Sequence, residues 1–291
     1  MRTIEDLFSE PPVTTLYHYT GIGGLMGIVE SRSLWASHIY YLNDAAEIIH
    51  ARDVLRGLVR KQKDMTSGDE SEFLGQFHDW LDTFSQNAYH LFVFSLTEEP
   101  NLLSQWRSYT PHGKGVSIGF SPGFLLSKIR AQDLRIARCL YEHPEQEELM
   151  SSLLEKMLIT FAQKRSSLDV SGWHPRQKYH GFLEQFRGDI LQLFSIIKHP
   201  SFREEREWRI VSQYYAKYTI PQIKFREGAS MLVPYIEIDI GRNDSEPTLF
   251  ECVYLGPSPH VELSMSALSN FLSNKGVCNK AINSKIPYRE W

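Results

Sequence analysis

Short strand patterns occupy both ends of this chain, and amphipathic helix patterns fill the stretch between them. Alternating or β-branched apolar runs predict strands over residues 14–20, 33–41, 91–96, 115–120, 207–212, 232–240 and 250–255 and near 287. Helical spacing predicts helices around residues 25–29, 44–59, 73–84, 149–161, 182–197 and 263–272, with loops at 61–71 and 166–178. This order favours a mixed, mostly antiparallel split sheet over regular βαβ winding. We therefore expect one α+β domain over residues 1–291, with a helical insertion at about 142–199.

The predicted helix after residue 44 has a recognisable start. Asn43 and Asp44 stand where a cap belongs, and Glu47 follows three residues after Asp44, as in a capping box. We expect one apolar stripe along this helix, formed by Ile48, Ile49, Leu55, Leu58 and Val59.

Composition limits the compartment and the partners. In 291 residues, 31 Lys and Arg face 35 Asp and Glu, so a net charge of −4 gives no general attraction for nucleic acid or anionic membranes. Three widely spaced cysteines, Cys139, Cys252 and Cys278, indicate reduced thiols. The first residues contain no apolar signal core, and no apolar run is long enough to span a bilayer. We expect a cytoplasmic protein.

Common catalytic and metal-binding motifs are missing from the sequence. There is no Walker loop, GxGxxG, HExxH or CxxC. Gly21, Gly23 and Gly24 fit a plain turn better than a phosphate loop. These absences disfavour a P-loop nucleotidase and a dedicated zinc site, and we expect no metal.

Four blocks of sequence occur in a specific order. They are LYHYT at 16–20 with LWAS at 34–37 and YLND at 41–44; FSLT at 94–97 with QWRSY at 105–109; FREEREWRI at 202–210; and SKIPYR at 284–289. Together they resemble the bacterial family known as domain of unknown function 2971, over nearly the whole chain. That family name implies no activity.

A more distant resemblance suggests a chemistry. A strand bearing His18, a helix, a second strand and a late Glu-x-Glu entering a strand are similar to the ADP-ribosyltransferase superfamily, which binds NAD in a cleft between two small antiparallel sheets. The resemblance implies that Glu207 is catalytic and that His18 orients NAD. We also expect a set of residues near these two to contact the nucleotide, some implied by the resemblance and some inferred from the sequence. They are Tyr19, Thr20, Tyr40, Tyr41, Ser95, Arg107, Glu205 and Arg209. Tyr40, Tyr41 and Ser95 compete for the place beside the nicotinamide ribose, and Arg107 or Arg209 would hold the pyrophosphate.

Strand parity gives independent support for a site around Glu207. Glu205, Glu207 and Arg209 share one face of the predicted strand, while Trp208 and Ile210 share the other. If the apolar pair faces the core, Glu207 and Arg209 project into a cleft. A carboxylate there can stabilise the positive charge that develops on ribose when the N-glycosidic bond of NAD breaks, without a metal.

Other interpretations remain open. His18 alone fits a structural histidine, residues 203–209 fit a solvated ion-paired edge, and Trp106 and Tyr109 fit core or cleft wall. The leading hypothesis is an NAD-dependent ADP-ribosyltransferase-like enzyme, as a toxin or anti-phage effector acting on nucleic acid or protein, with no membrane partner and with homo-oligomers left open. The alternatives are a non-enzymatic nucleotide or signal-binding module on the same fold, and a helical segment, 149–197, that binds a partner.

Overall fold

The structure is a computed structural model that describes residues 2–42, 46–82, 90–110, 114–168, 174–216, 222–228, 230–241 and 249–287. It combines helices with a ten-stranded, mostly antiparallel sheet. The strands are β1 Leu16–Thr20, β2 Ser33–His38, β3 Phe92–Thr97, β4 Val116–Phe120, β5 Arg135–Arg138, β6 Glu207–Val211, β7 Lys224–Glu227, β8 Leu232–Asp239, β9 Cys252–Leu255 and β10 Ala281–Asn283. The α-helices are α1 Ile4–Ser9, α2 Ile22–Ser31, α3 Ala46–Asp64, α4 Gly68–Asp82, α5 Leu103–Tyr109, α6 Pro122–Ala131, α7 His143–Lys164, α8 His180–Glu184, α9 Arg187–Phe194 and α10 Val261–Lys275.

The sheet carries the strands in the order β10-β9-β4-β1-β3-β2-β8-β7. Strand β6 lies off this path, paired with β3 on one edge and with β5 on the other. Among the named strands, β9 and β10 are the one parallel pair. The predicted mixed and mostly antiparallel sheet is therefore confirmed.

Helices cover both faces of the sheet. Helices α2, α6 and α10 pack against one face through residues such as Leu25, Phe124 and Leu268. Helices α1, α3, α4, α7, α8 and α9 form a larger apolar cluster with the other face. Because β6 alternates, Trp208 and Ile210 join the first cluster, as predicted from strand parity.

Local sequence explains several helix ends. Ser121 caps α6 by accepting a hydrogen bond from the amide of Phe124, and Pro122 occupies the first turn, where no amide donor is needed. Helix α10 ends at Gly276, whose φ of 61° is the left-handed conformation that glycine adopts at no steric cost. No helix among the residues described has the length and apolarity to cross a membrane.

Several predicted boundaries are wrong. Residues 61–71 form the end of α3 and the start of α4 rather than a loop, and residues 182–197 contain parts of two short helices, α8 and α9, rather than one. Strand β2 ends at His38 and continues as a 3₁₀ turn over Ile39–Tyr41. Helices α1, α5 and α6 and strands β5 and β7 are not among the predicted elements. The last strand lies at Ala281–Asn283 rather than near Pro287. The predicted cap residues Asn43 and Asp44 lie outside the described residues, as do Phe84 and residues 288–291.

One prediction about α3 also needs correction. Ile48, Leu55 and Val59 are buried, but Ile49 lies half exposed on the other side of the helix. Glu47 is buried, and its carboxylate accepts a hydrogen bond from Arg209 of β6; its predicted capping partner, Asp44, lies outside the described residues. The helices of residues 142–199 pack with α3 and α4 into one layer, and the single-domain assignment stays a prediction.

Candidate functional site

The sheet splits along one edge of β3. Strand β1 pairs with β3 at Tyr17 and Thr97, whereas β2 pairs with it at the other end, through Ser37 with Val93 and His38 with Phe92. Between these contacts, residues 94–96 have no ladder partner on that edge, while β6 follows the opposite edge of β3 throughout. The separation of β1 from β2 opens a cleft whose floor includes the middle of β3.

His18 bridges this split. Its Nδ1 atom lies 3.0 Å from the carbonyl oxygen of Ser95, and its ring packs on Phe94 with centroids 4.3 Å apart. A carbonyl only accepts hydrogen bonds, so Nδ1 carries the proton and Nε2 carries the lone pair. Burial lowers the pKa of His18 to about 4, against the opposing effect of the Ser95 carbonyl. At neutral pH the imidazole is therefore uncharged, and Nε2 can accept a hydrogen bond from a ligand hydroxyl.

A buried group of charged side chains lies beside His18. We call it the ion cluster; it consists of Glu47, Lys198, Glu205, Glu207 and Arg209. Lys198 Nζ lies 2.6 Å from Glu207 Oε2, 2.5 Å from Glu205 Oε2 and 3.2 Å from Glu47 Oε1. Arg209 Nε donates to Glu207 Oε1 at 2.7 Å, and its Nη2 donates to Glu47 at 2.8 Å. Ion pairs thus link helix α3, which carries Glu47, with strand β6, which carries Glu207 and Arg209, and with the segment before β6, which carries Lys198 and Glu205.

The ion cluster fixes the protonation state of Glu207. Burial alone would raise the pKa of this carboxyl, but Arg209 and Lys198 outweigh burial and hold the pKa at about 2. Burial also opposes the charged form of Lys198, but Glu207 and Glu47 raise its pKa above the usual value. Three carboxylates against two cations leave the cluster with a net charge of −1.

His18 and Glu207 line the same cleft, which has a volume of about 390 Å³. This is within the range of roughly 300–1,000 Å³ that is usual for small-molecule sites. Helix α2 contributes a wall at Gly23 and Gly27, where an added Cβ would meet no atom within 4 Å. The opposite wall carries Trp35 from β2.

The structure brings most of the sequence-predicted site residues together. Thr20, Tyr41, Ser95 and Arg209 line the cleft with His18 and Glu207. Glu205 lines a small adjoining pocket of about 50 Å³, where its carboxylate accepts a hydrogen bond from Tyr109. Tyr109 lines both spaces.

Three predicted residues lie elsewhere. Tyr19 points to the other face of β1, where its hydroxyl donates to the Glu99 carbonyl at 2.8 Å and its ring packs on Trp106. Tyr40 packs against the larger apolar cluster, and Arg107 is exposed on α5 away from the cleft lining. Side-chain alternation along β1 explains the placement of Tyr19, because adjacent strand residues face opposite sides of the sheet. Tyr40 lies in the 3₁₀ turn after His38, where the alternation of the strand no longer applies.

Arg209 is less suited to hold a pyrophosphate than the sequence suggests. Four of its hydrogen bonds go to Glu207, Glu47 and the Ser195 carbonyl. A guanidinium has five N–H groups, so little donor capacity remains for a ligand. The residue orients Glu207 instead.

Sequence reasoning missed Lys198, Glu47 and Arg226. Lys198 and Glu47 lie in segments that read as ordinary helix or loop, and nothing local indicates that their charges are buried. Arg226 lies on β7, whose sequence KFRE lacks the apolar alternation of a strand. Only the pairing of β7 with β8 brings it to the cleft.

Comparison with known proteins adds one finding. Residues 105–210 match the family model described as a protein of unknown function, DUF2971. The matched region contains the ion cluster apart from Glu47, but it lacks His18 and Ser95. No curated protein and no solved structure matches the chain. Over the described residues, no group of three or more His, Cys, Asp and Glu side chains is placed to hold a metal ion.

Proposed function

We propose that this protein cleaves the bond between nicotinamide and ribose in NAD and transfers the ADP-ribose unit to an acceptor. The observation that supports this most directly is that His18 and Glu207, 189 positions apart in sequence, line one cleft where the sheet splits. The arrangement agrees with the resemblance to the ADP-ribosyltransferase superfamily, in which NAD lies between two small antiparallel sheets.

The charges of the site suit this reaction. When the C1′–N bond breaks, its electron pair leaves with nicotinamide and the ribose becomes oxocarbenium-like. The Glu207 carboxylate, whose pKa Arg209 and Lys198 lower, lies in a cluster with an excess of one negative charge and would stabilise this cation. The neutral His18 would accept a hydrogen bond from a ribose hydroxyl through Nε2. The acceptor's lone pair then forms the new bond to C1′, and the acceptor releases its proton.

Release of nicotinamide from NAD by the purified protein tests the proposal. We expect Glu207→Gln to lower the rate by about 10²–10³, which is typical for loss of an electrostatic contact to the transition state. The matched control is Glu204→Gln, since Glu204 is exposed and outside the cleft. Equal rates in wild type and Glu207→Gln would exclude Glu207 as the catalytic residue. If the wild type released no nicotinamide with water, protein or nucleic acid as the acceptor, the proposed enzymatic activity would be refuted.

A second candidate is a non-enzymatic nucleotide-binding module. It is favoured by the fact that both carboxylate oxygens of Glu207 already accept hydrogen bonds, from Arg209 and Lys198, with the side chain only 7% exposed. This candidate predicts that NAD stabilises the protein against unfolding, by about 2.7 kcal/mol at a hundredfold excess over Kd, with no nicotinamide released.

A further inference from the structure

Two arginines line the cleft, and their surroundings differ. Arg209 is buried in the ion cluster and bound on several sides. Arg226 lies at the other wall, on the edge strand β7, and its Nη2 donates to the Ser37 hydroxyl at 3.0 Å. Arg226 is therefore the arginine of the cleft with capacity for a ligand.

The guanidinium of Arg226 has unused hydrogen-bonding capacity. Among the described residues, no carboxylate lies within ion-pair distance of it, and its Nε is buried without a hydrogen-bond partner. A buried donor left unsatisfied is unfavourable, and such groups in native structures call for an explanation. An anion in the cleft would satisfy both the charge and the donor, and the planar fork of an arginine suits a phosphate.

An aromatic surface lies next to this arginine. Trp35 is 41% exposed, lines the cleft, and is supported from the side by Tyr235, with ring centroids 4.6 Å apart and planes at 30°. Trp35 and Ser37 are two residues apart on one face of β2, which places them about 7 Å from each other. An exposed indole beside an anion site is a surface on which a base can stack.

The spacing along β3 separates this region from the ion cluster. Ser37 is opposite Val93 at one end of β3, whereas Glu207 is opposite Thr97 at the other. Four residues of strand correspond to about 13 Å. A ligand with two nucleotide units can therefore reach Glu207 with one unit and Arg226 with the other.

We propose that Arg226 and Trp35 form a nucleotide subsite, in which Arg226 binds a phosphate and Trp35 stacks on the base. If the proposed function is correct, the ADP half of NAD occupies this subsite. The identity of the bound nucleotide thus rests on the proposed function, but the subsite itself does not. It makes β2 and β7 part of the binding surface.

Calorimetric titration with ADP and with adenosine tests the subsite without turnover. We expect Arg226→Gln to weaken ADP binding about tenfold or more, because a charged hydrogen bond is lost, and to leave adenosine binding unchanged. Trp35→Ala should weaken the binding of both ADP and adenosine. The matched control is Lys224→Gln, on the same face of β7 but paired with Glu237 and outside the cleft lining. Thermal unfolding of each variant checks that it folds.

The outcomes separate this inference from the proposed function. ADP binding that depends on Arg226, without nicotinamide release from NAD, supports the subsite and refutes the enzyme. Nicotinamide release whose KM for NAD is the same in wild type and Arg226→Gln supports the enzyme and overturns the subsite. No binding of ADP to the wild type, or equal weakening by Lys224→Gln, also overturns it.

Discussion

Lys198 Nζ lies 2.6 Å from Glu207 Oε2, so a lysine from the segment after α9 holds the carboxylate that β6 presents to the cleft. Arg209 holds the other oxygen of the same carboxylate at 2.7 Å. The orientation of Glu207 therefore depends on a contact between the helical layer and the sheet.

Replacing Lys198 with methionine is expected to destabilise the fold strongly. The side chain is 1% exposed, and its loss changes the charge of the ion cluster from −1 to −2 in a buried place. Breaking a buried ion pair on one side typically costs about 3–5 kcal/mol. Urea unfolding measures the change. Lys156→Met is the control, because Lys156 also contacts two carboxylates but is 49% exposed, and it should cost less than about 1 kcal/mol. Similar losses in the two variants would contradict this account.

A second substitution should recover part of that loss. In the Lys198→Met background, Glu205→Gln restores the cluster to a charge of −1, since the lysine contact of Glu205 is already gone. We expect the two changes to be coupled by about 0.5–3 kcal/mol in the favourable direction, which a double-mutant cycle of unfolding free energies measures. Strict additivity would show that the charge balance of the cluster does not matter.

Acidification should weaken the fold through His18. The pKa of His18 in the folded protein is about 4, below its ordinary value of 6.5. Between these pH values the unfolded chain binds a proton at this site and the folded chain does not, so stability falls as the pH is lowered through this window and is unaffected above it. The pKa of Glu207, lowered from 4.5 to about 2, makes the stability fall further as the pH drops from about 4.5 towards 2.

The measurement is urea unfolding of wild type and His18→Gln at pH 7 and pH 4.5. We expect the wild type to lose more stability than the variant on acidification. Other buried histidines, such as His90, are present in both proteins and cancel in the difference. An identical loss of unfolding free energy in the two proteins would show that His18 is already protonated in the folded protein at pH 4.5, and so would contradict the lowered pKa.

Alanine substitutions at two glycines of α2 should change the stability of the protein in opposite directions. At Gly27 an added Cβ meets nothing within 4 Å, so Gly27→Ala should stabilise the helix by about 0.8–1 kcal/mol while narrowing the cleft and weakening ADP binding. At Gly24 the Cβ would lie 2.0 Å from Thr20 Oγ1, so Gly24→Ala must displace that side chain and should be the less stable variant. Thermal unfolding and ADP titration check both. A stabilised Gly27→Ala with unchanged ADP affinity would place the ligand away from α2.

The sequence was informative where a local pattern reflects the burial of a strand. The alternation of Glu207, Trp208 and Arg209 predicts which side chains face the core, and the structure agrees. It was uninformative where burial comes from partners distant in sequence. Strand β7 is polar and becomes a strand only through β8, so Arg226 carries no local signal of its position.

The ion cluster illustrates the same limit. Glu47 satisfies the pattern of a capping residue, yet its carboxylate binds Arg209, 162 positions later. Lys198 lies in a stretch that reads as the end of a helix, and only the tertiary contacts show that it is buried. Because such partners are far apart in sequence, the pattern of neighbouring residues cannot predict their contacts.

The arrangement of strands also bears on when the cleft forms during synthesis. Strand β3 is completed by residue 97, but its neighbour β6 ends at Val211 and the arginine of the opposite wall is residue 226. A ribosome must therefore translate the chain through residue 226 before both walls exist. Until then a nascent chain carries His18 and Ser95 without the charges that would make them a site, and it can bind no nucleotide in the manner described.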